Sequence, residues 1–434
     1  MSTRRRLKTV TGVSGSTDVY SAALDPQRST LESSIEIAKL AEANGFDALF
    51  AADLLSFGAQ GAIGAQEPLI FVAALSAVTE RIGLIATVTT TFHHPYNLAR
   101  LFGTLDHVSN GRAAWNAVTS SLGEENYGDQ ELPAPEQRYA RATEVIEVVN
   151  ALFDSWQPDA LTRDAHGGAI LHPDRVRPID HAGEFFTVRG PLNIPTLPQR
   201  RPVQFQAGQS AAGVELGARL AEVVFTSLPT LADAVAFTTK IRARAAELGR
   251  ADGLPLIMSS FHATYGSSEA EVARLVREQH EATDFEAGRI ALADMLGGGV
   301  DLSELPLDQP IPEKLLPDVA SVQRRRGRVE IFSAFARQGK TLRELIIAAK
   351  DTGHWAAAGT PEQLADAIAE RYDAGVLDVI SLGGLADPRT RDFLLNGLLP
   401  ELRRRDIVAK DSIEGTFREK LELPPLPSPI VSVA

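Results

Sequence analysis

The adjacent histidines of "TVTTTFHHPYN", His93 and His94, are the first residues in this chain that invite a chemical reading. Imidazoles can bind a metal, move a proton or hydrogen-bond their own loop. Neighbouring side chains at a strand end point in different directions, so one ion would hardly be held by both, and no H-E-x-x-H or H-x-H spacing occurs. Acid–base use and loop hydrogen bonding remain as alternatives. Position favours the first, because the pair follows a strand-like run, where catalytic groups gather in barrel enzymes.

A second set of polar residues marks the ends of other apolar runs. "AAD" ends on Asp53, "TVTTT" contains Thr90, "WNAVTS" carries Asn116 and Thr119, and "QAGQS" and "FTS" close two later runs. Hydroxyls, amides and one carboxylate describe a largely uncharged, polar-edged pocket, suited to a heterocycle. "QAGQSAAG" adds a tight turn at Gly208 and places Ser210 at the start of a helix. That arrangement presents backbone N–H groups and a hydroxyl to an anion such as phosphate, or is an ordinary serine cap. A triad hydrolase is disfavoured by the lack of a G-x-S-x-G elbow. The chain has no cysteine, which excludes thiolate nucleophiles, disulfides and cysteine-held metal centres, so redox chemistry needs an organic cofactor or a non-thiolate metal site.

These residues need elements to hold them. Apolar runs such as "FDALFAADL", "RIGLIATVTTT", "RPVQFQAG" and "LDVISLGG" alternate with helical patterns, which predicts parallel strands joined by right-handed crossovers and covered on both faces. Counting a first strand near "LKTVTGVSG" gives about eight units, the number that closes a (β/α)₈ TIM barrel in the α/β class. An open doubly wound sheet is the alternative, but no G-x-G-x-x-G turn supports it. The whole chain, 1–434, reads as a single such domain. Inserts are expected at about 156–200 and 284–340, walling the C-terminal face, with "HAGEFFTVRGPLNIP" forming a hairpin. The proline-rich tail from about 421 to 434 is expected to lie on the surface or on a neighbouring subunit. A net charge of −13 over 434 residues argues against nucleic acid or an anionic membrane as main partner. With no apolar run of spanning length and no apolar segment behind the basic start, a cytoplasmic protein is expected.

In order along the chain, "EPLIFVAALSAVTERIGLIATVTTTFHHPYNLARLFGTLDHVSNGRAAWNAVTSS", "RYARATEVIEVVNALFDSW", "HAGEFFTVRGPLNIP", "RPVQFQAGQSAAGVELGARLAEVVFTS" and "GTPEQLADAIAERYDAGVLDVISL" resemble the nitrilotriacetate monooxygenase group of the bacterial-luciferase-like flavin-dependent monooxygenases. The resemblance runs from about Ile35 to Leu399 and is slight across Thr230–Asp351. It implies a TIM barrel that binds FMN, supplied reduced by a separate NAD(P)H:flavin reductase. Through a flavin C4a-peroxide formed with O₂, one oxygen atom would enter a small organic substrate. It further implies Asp53 beside the flavin ring, Thr90 and Asn116 along it, Thr119 and His93 near it, and Tyr139 and Ser210 on the ribityl phosphate. His93 or His94 would stabilise the peroxide or move a proton, and His354, before "GTPEQ", would face the substrate. One departure stands out: many members of the group carry a histidine where this chain has Pro135. A deazaflavin (F420)-dependent oxidoreductase of the same superfamily and a non-catalytic flavin-binding barrel are the competing readings, and a homodimer or homotetramer is expected. "QRRRGR" (Gln323–Arg328) would either neutralise a carboxylate substrate or form a solvated face.

Overall fold

A computed structural model describes residues 5–14, 30–56, 66–120, 122–128, 131–251, 253–322, 326–410 and 413–426. The strands in chain order are β1 (Lys8–Ser14), β2 (Ala48–Ala51), β3 (Gly83–Thr89) and β4 (Ala113–Val118); β5 (Leu161–Arg163), β6 (Ala169–Leu171), β7 (His181–Ala182) and β8 (Thr187–Val188); and β9 (Val203–Ala207), β10 (Val223–Thr226), β11 (Leu256–Tyr265), β12 (Trp355–Gly359) and β13 (Val379–Ser381). Strands β1, β2, β3, β4, β9, β10, β11 and β13 pair in that order, and β13 returns to β1. Every one of these pairings is parallel, so the sheet closes into the expected eight-stranded barrel.

Why these segments make strands is visible in their burial. All seven residues of β3 are buried, as a strand covered on both faces requires. Inside the barrel, Val10, Ala48, Ile85, Ala114, Val203, Phe205, Met258 and Val379 form one apolar column. A second, larger cluster seals the strands against the surrounding helices, with Leu84, Phe102, Trp115 and Val149 among its members. Helix starts follow their caps: Thr360 and Gln363 form a capping box ahead of helix Pro361–Asp373.

The first insert carries two hairpins, β5–β6 and β7–β8, the second of them within "HAGEFFTVRG". Glu144 pins that hairpin to helix Pro135–Phe153, accepting from the N–H groups of Phe185 and Phe186 at 2.9 Å each and meeting His181 Nε2 at 2.9 Å. The second insert folds helices Phe285–Met295, Arg326–Arg337 and Leu342–Ala349 around their own core of Leu292, Phe332, Leu345 and Ile346. Of "QRRRGR", Gln323 to Arg325 lie outside the described residues.

At the start of the C-terminal arm Leu421 and Leu423 are buried, which the expectation of a surface arm does not include. The described segment is partly buried and partly on the surface: helix Phe417–Lys420 turns under the N-terminal ends of the strands, where Phe417, Leu421 and Leu423 complete the barrel's apolar column, while Glu422 and Pro425 are exposed. Phe417 rests on Gly83, where an added Cβ would lie only 2.5 Å from the ring. Ion pairs tie this plug down, Lys8 Nζ to Glu422 Oε1 at 2.6 Å and Arg418 Nη2 to Glu222 Oε2 at 2.8 Å. Residues 427–434 lie outside the described residues. Among those described, no helix is long and apolar enough to cross a membrane.

Candidate active site

At the opposite, C-terminal end, the strands β4, β9 and β10 open onto a cavity of about 460 Å³. One wall is the turn that follows β9. Gly208 there has φ of +151°, and a Cβ on it would sit 2.7 Å from the Tyr139 hydroxyl, so only glycine lets the turn pack against the tyrosine. Ser210 caps helix Ala211–Leu220, its Oγ accepting from the Gly213 N–H at 3.2 Å. Since that bond uses an oxygen lone pair, the Ser210 hydroxyl hydrogen is still available to an anion. The cap and the anion-site readings therefore describe one geometry. Tyr139, Gly208, Ser210 and Thr119 all line the cavity, as does Pro135, which occupies the first position of helix Pro135–Phe153, where a missing N–H costs nothing.

The facing wall comes from the second insert and from His354. Arg328 Nη2 lies 3.1 Å from His354 Nε2, and His354 Nδ1 lies 3.2 Å from Ser227 Oγ. Burial, with the charge of Arg328 and the neighbouring His262 adding to it, pushes His354 down to about 3, so the ring is neutral. A guanidinium can only donate, so Nε2 accepts, Nδ1 carries the proton, and the Ser227 oxygen receives it. Ser227 then has its own hydrogen to give, and it lines the cavity. Its backbone is clamped on both sides by Gln209, which accepts from the Ser227 N–H and donates to its carbonyl, both at 2.9 Å.

Four further residues singled out from the sequence are not among this cavity's described walls: Asn116 lies within β4, and Thr90, His93 and Asp53 follow β3 and β2. Asn116 on β4 is buried; its Nδ2 donates to Thr87 Oγ1 at 3.0 Å, while its Oδ1 has no partner. Thr90, also buried, donates to the Val118 carbonyl at 3.1 Å. Asp53 follows β2, and burial together with the charge of Glu67 pushes its carboxyl up to about 6. His93 is half-buried and held below the ordinary histidine value, chiefly by desolvation. His94 is placed otherwise: it is exposed and caps helix Pro95–Val108, its Nδ1 accepting from the Tyr96 N–H at 3.2 Å. That geometry is the loop hydrogen bond, and it commits Nδ1. Arg138 and Gln209 were not singled out, although each adjoins a residue that was; the role of Ser227 depends on a contact 127 residues away, for which the sequence carries no sign. Among the described residues, no group of three or more histidine, aspartate or glutamate side chains could hold a metal.

Residues 10–378 match the luciferase-like monooxygenase family. The chain belongs to that family. It is 38% identical over 360 residues to nitrilotriacetate monooxygenase component A of Aminobacter aminovorans, covering 82% of this chain and 79% of that protein. It is 36% identical over 395 residues to the N-acetyl-S-(2-succino)cysteine monooxygenase of Bacillus subtilis (strain 168), 89% of each. The solved structure of a riboflavin lyase with modified FMN and riboflavin superposes with a TM-score of 0.80 at 28% identity, over 96% of both chains. This family of enzymes is flavin-dependent, and its relatives are named monooxygenases. The site fits a flavin: the Gly208 turn is a cradle that any larger residue would fill, and the orphaned Asn116 oxygen is an acceptor for a ring N–H.

Proposed function

We propose that this protein is the oxygenase of a two-component system, which takes reduced FMN from a separate NAD(P)H:flavin reductase and uses O₂ to place one oxygen atom in a small organic substrate. The observation that carries the reading is the pairing of an anion cradle at Gly208 and Ser210 with a buried, unpaired Asn116 acceptor one strand away. Bound reduced FMN would supply the electrons that activate O₂. The chain's own part is to hold, orient and shield. Ser210 and Tyr139 would grip the phosphate and Asn116 a ring N–H, with Thr90, Thr119 and Asp53 along the ring. His93, kept neutral by desolvation, can accept a proton at one ring nitrogen.

The test starts with anaerobic titration of reduced FMN, followed by ¹⁸O₂ in the presence of substrate and mass analysis of the product. One labelled oxygen per product is expected. Preferential binding of reduced F420, with hydride transfer and no O₂ uptake, would replace the proposal by the deazaflavin reading. Flavin bound without any turnover would leave a non-catalytic barrel.

A further inference from the structure

We propose that Arg141 is a positioning residue for the reaction, through which the first insert holds the turn that carries Thr90 and His93; the assignment rests on the oxygenase reading above. Two sequence motifs meet at this contact, "RYARA" on helix Pro135–Phe153 and "HAGEFFTVRG" in the hairpin β7–β8.

The turn after β3 needs a support that its own backbone does not supply. Residues 90–93 follow β3 and precede helix Pro95–Val108, so the carbonyls of Thr91 and His93 lie beyond both the strand ladder and the helix. Arg141 reaches both: Nε donates to the Thr91 carbonyl at 3.2 Å and Nη2 to the His93 carbonyl at 3.4 Å. A planar fork holds two acceptors in fixed relation, which the single ammonium of a lysine does not.

The guanidinium is itself held. Its carbon lies 4.4 Å from the centroid of the buried Phe186 ring, a cation–π contact. Phe186 is fixed in turn by Glu144, one turn along the helix from Arg141, which accepts from the Phe185 and Phe186 N–H groups at 2.9 Å each. The route runs from the hairpin to Phe186, to Arg141 and to the His93 turn. It bypasses the cradle, because Tyr139, two residues before Arg141, looks out from another side of the helix and lines the cavity.

Such a hold matters to a group that handles protons. A displacement of about 1 Å in a reacting group can cost on the order of a hundredfold in rate. Desolvation keeps His93 below the ordinary histidine value, against the opposing charge of Glu67 at the start of helix Pro68–Ser76. A loosened turn would admit water and let that value rise.

Three variants test the assignment. Arg141→Met removes the donors, Arg141→Lys keeps the charge without the fork, and Phe186→Leu leaves Arg141 whole but takes away its seat. In ¹⁵N-histidine NMR titrations, Arg141→Met and Phe186→Leu are each expected to raise His93 by about half a pH unit or more, about a threefold change in its proton equilibrium, with the His354 signals unmoved. Arg141→Lys should fall between, and the double variant should be no worse than Arg141→Met alone, since both changes act on one contact. Loaded anaerobically with reduced FMN and then mixed with O₂, Arg141→Met and Phe186→Leu should release H₂O₂ severalfold faster than the parent. A purely structural Arg141 would lower the denaturation midpoint and leave both readouts in place, which overturns the proposal. So would a shifted His93 with parental H₂O₂ release, or a Phe186→Leu variant equal to the parent. If Arg141→Met does not fold, Arg141→Lys and Phe186→Leu carry the same decision. Failure of the unsubstituted protein to take up reduced FMN sinks the oxygenase reading instead; the His93 titration then decides separately whether Arg141 holds the turn.

Discussion

Two residues that looked alike in the sequence have different surroundings, and their substitutions should separate them. His94 caps a helix, so His94→Ala is expected to cost stability, about 0.5–2 kcal/mol, while product formed per O₂ consumed stays unchanged. His93 is half-buried near Glu67, and His93→Ala should release more H₂O₂ per product without lowering flavin affinity. Equal coupling in both variants would show that neither imidazole serves the reaction. Asp53 makes a pH prediction. Its folded value of about 6 lies above the unfolded one, so the folded chain keeps a proton that the unfolded chain loses, and its contribution to stability falls as pH rises from about 4 to about 6. The stability of Asp53→Asn relative to the parent should therefore rise across that window. Glu67→Gln removes one of the two causes and should move the same step to lower pH; a flat difference would mean that Asp53 titrates normally.

Helix Ala211–Leu220 would, under the proposed function, serve fold and ligand together. Ser210 caps it with a lone pair and lines the cavity, so under the proposed function Ser210→Ala would mix a lost cap with a lost phosphate contact. Ser210→Gly separates them, because glycine is tolerated at a cap at a cost of a few tenths of a kcal/mol. Reduced-FMN affinity in Ser210→Gly is expected to fall about tenfold or more, about 1.5–3 kcal/mol for a bond to a charged group, with near-parental denaturation. Unchanged affinity would make the turn a cap and nothing else. The cradle was legible because a strand, a glycine turn and a serine-led helix are consecutive in "QAGQSAAG". Pro135 was legible only as a departure from the family; in the structure it is a first-turn helix proline whose ring lines the cavity, which the pattern "LPAPEQ" alone did not reveal.

At the scale of the molecule the two barrel ends are separate in purpose. The C-terminal end holds the cavity, and the N-terminal end is stoppered by Phe417, whose ring is fully buried against Gly83 and the barrel column. Phe417→Ala removes a large buried side chain with little prospect of collapse around it, and should cost about 3–5 kcal/mol. Reduced-FMN affinity at the far end should be unchanged at low denaturant. A denaturation midpoint equal to the parent's would show that the plug is marginal to stability, and lost flavin affinity would show that the two ends are coupled.

The sequence by itself determined the barrel, because strands covered on both faces must be continuous apolar runs and each run here is followed by a helical one. It also carried the family and the cradle, whose residues are neighbours in the chain. Tertiary structure alone decided the rest. Arg328, His354 and Ser227 meet only because the second insert folds back over the end of β10, and their proton arrangement follows from burial that no local pattern encodes. His93 and His94 differ because one is half-buried and the other finds a helix N–H to cap. Phe417 lies 334 positions beyond Gly83 in the chain, and a contact of that span is set by closure of the barrel and not by any local preference.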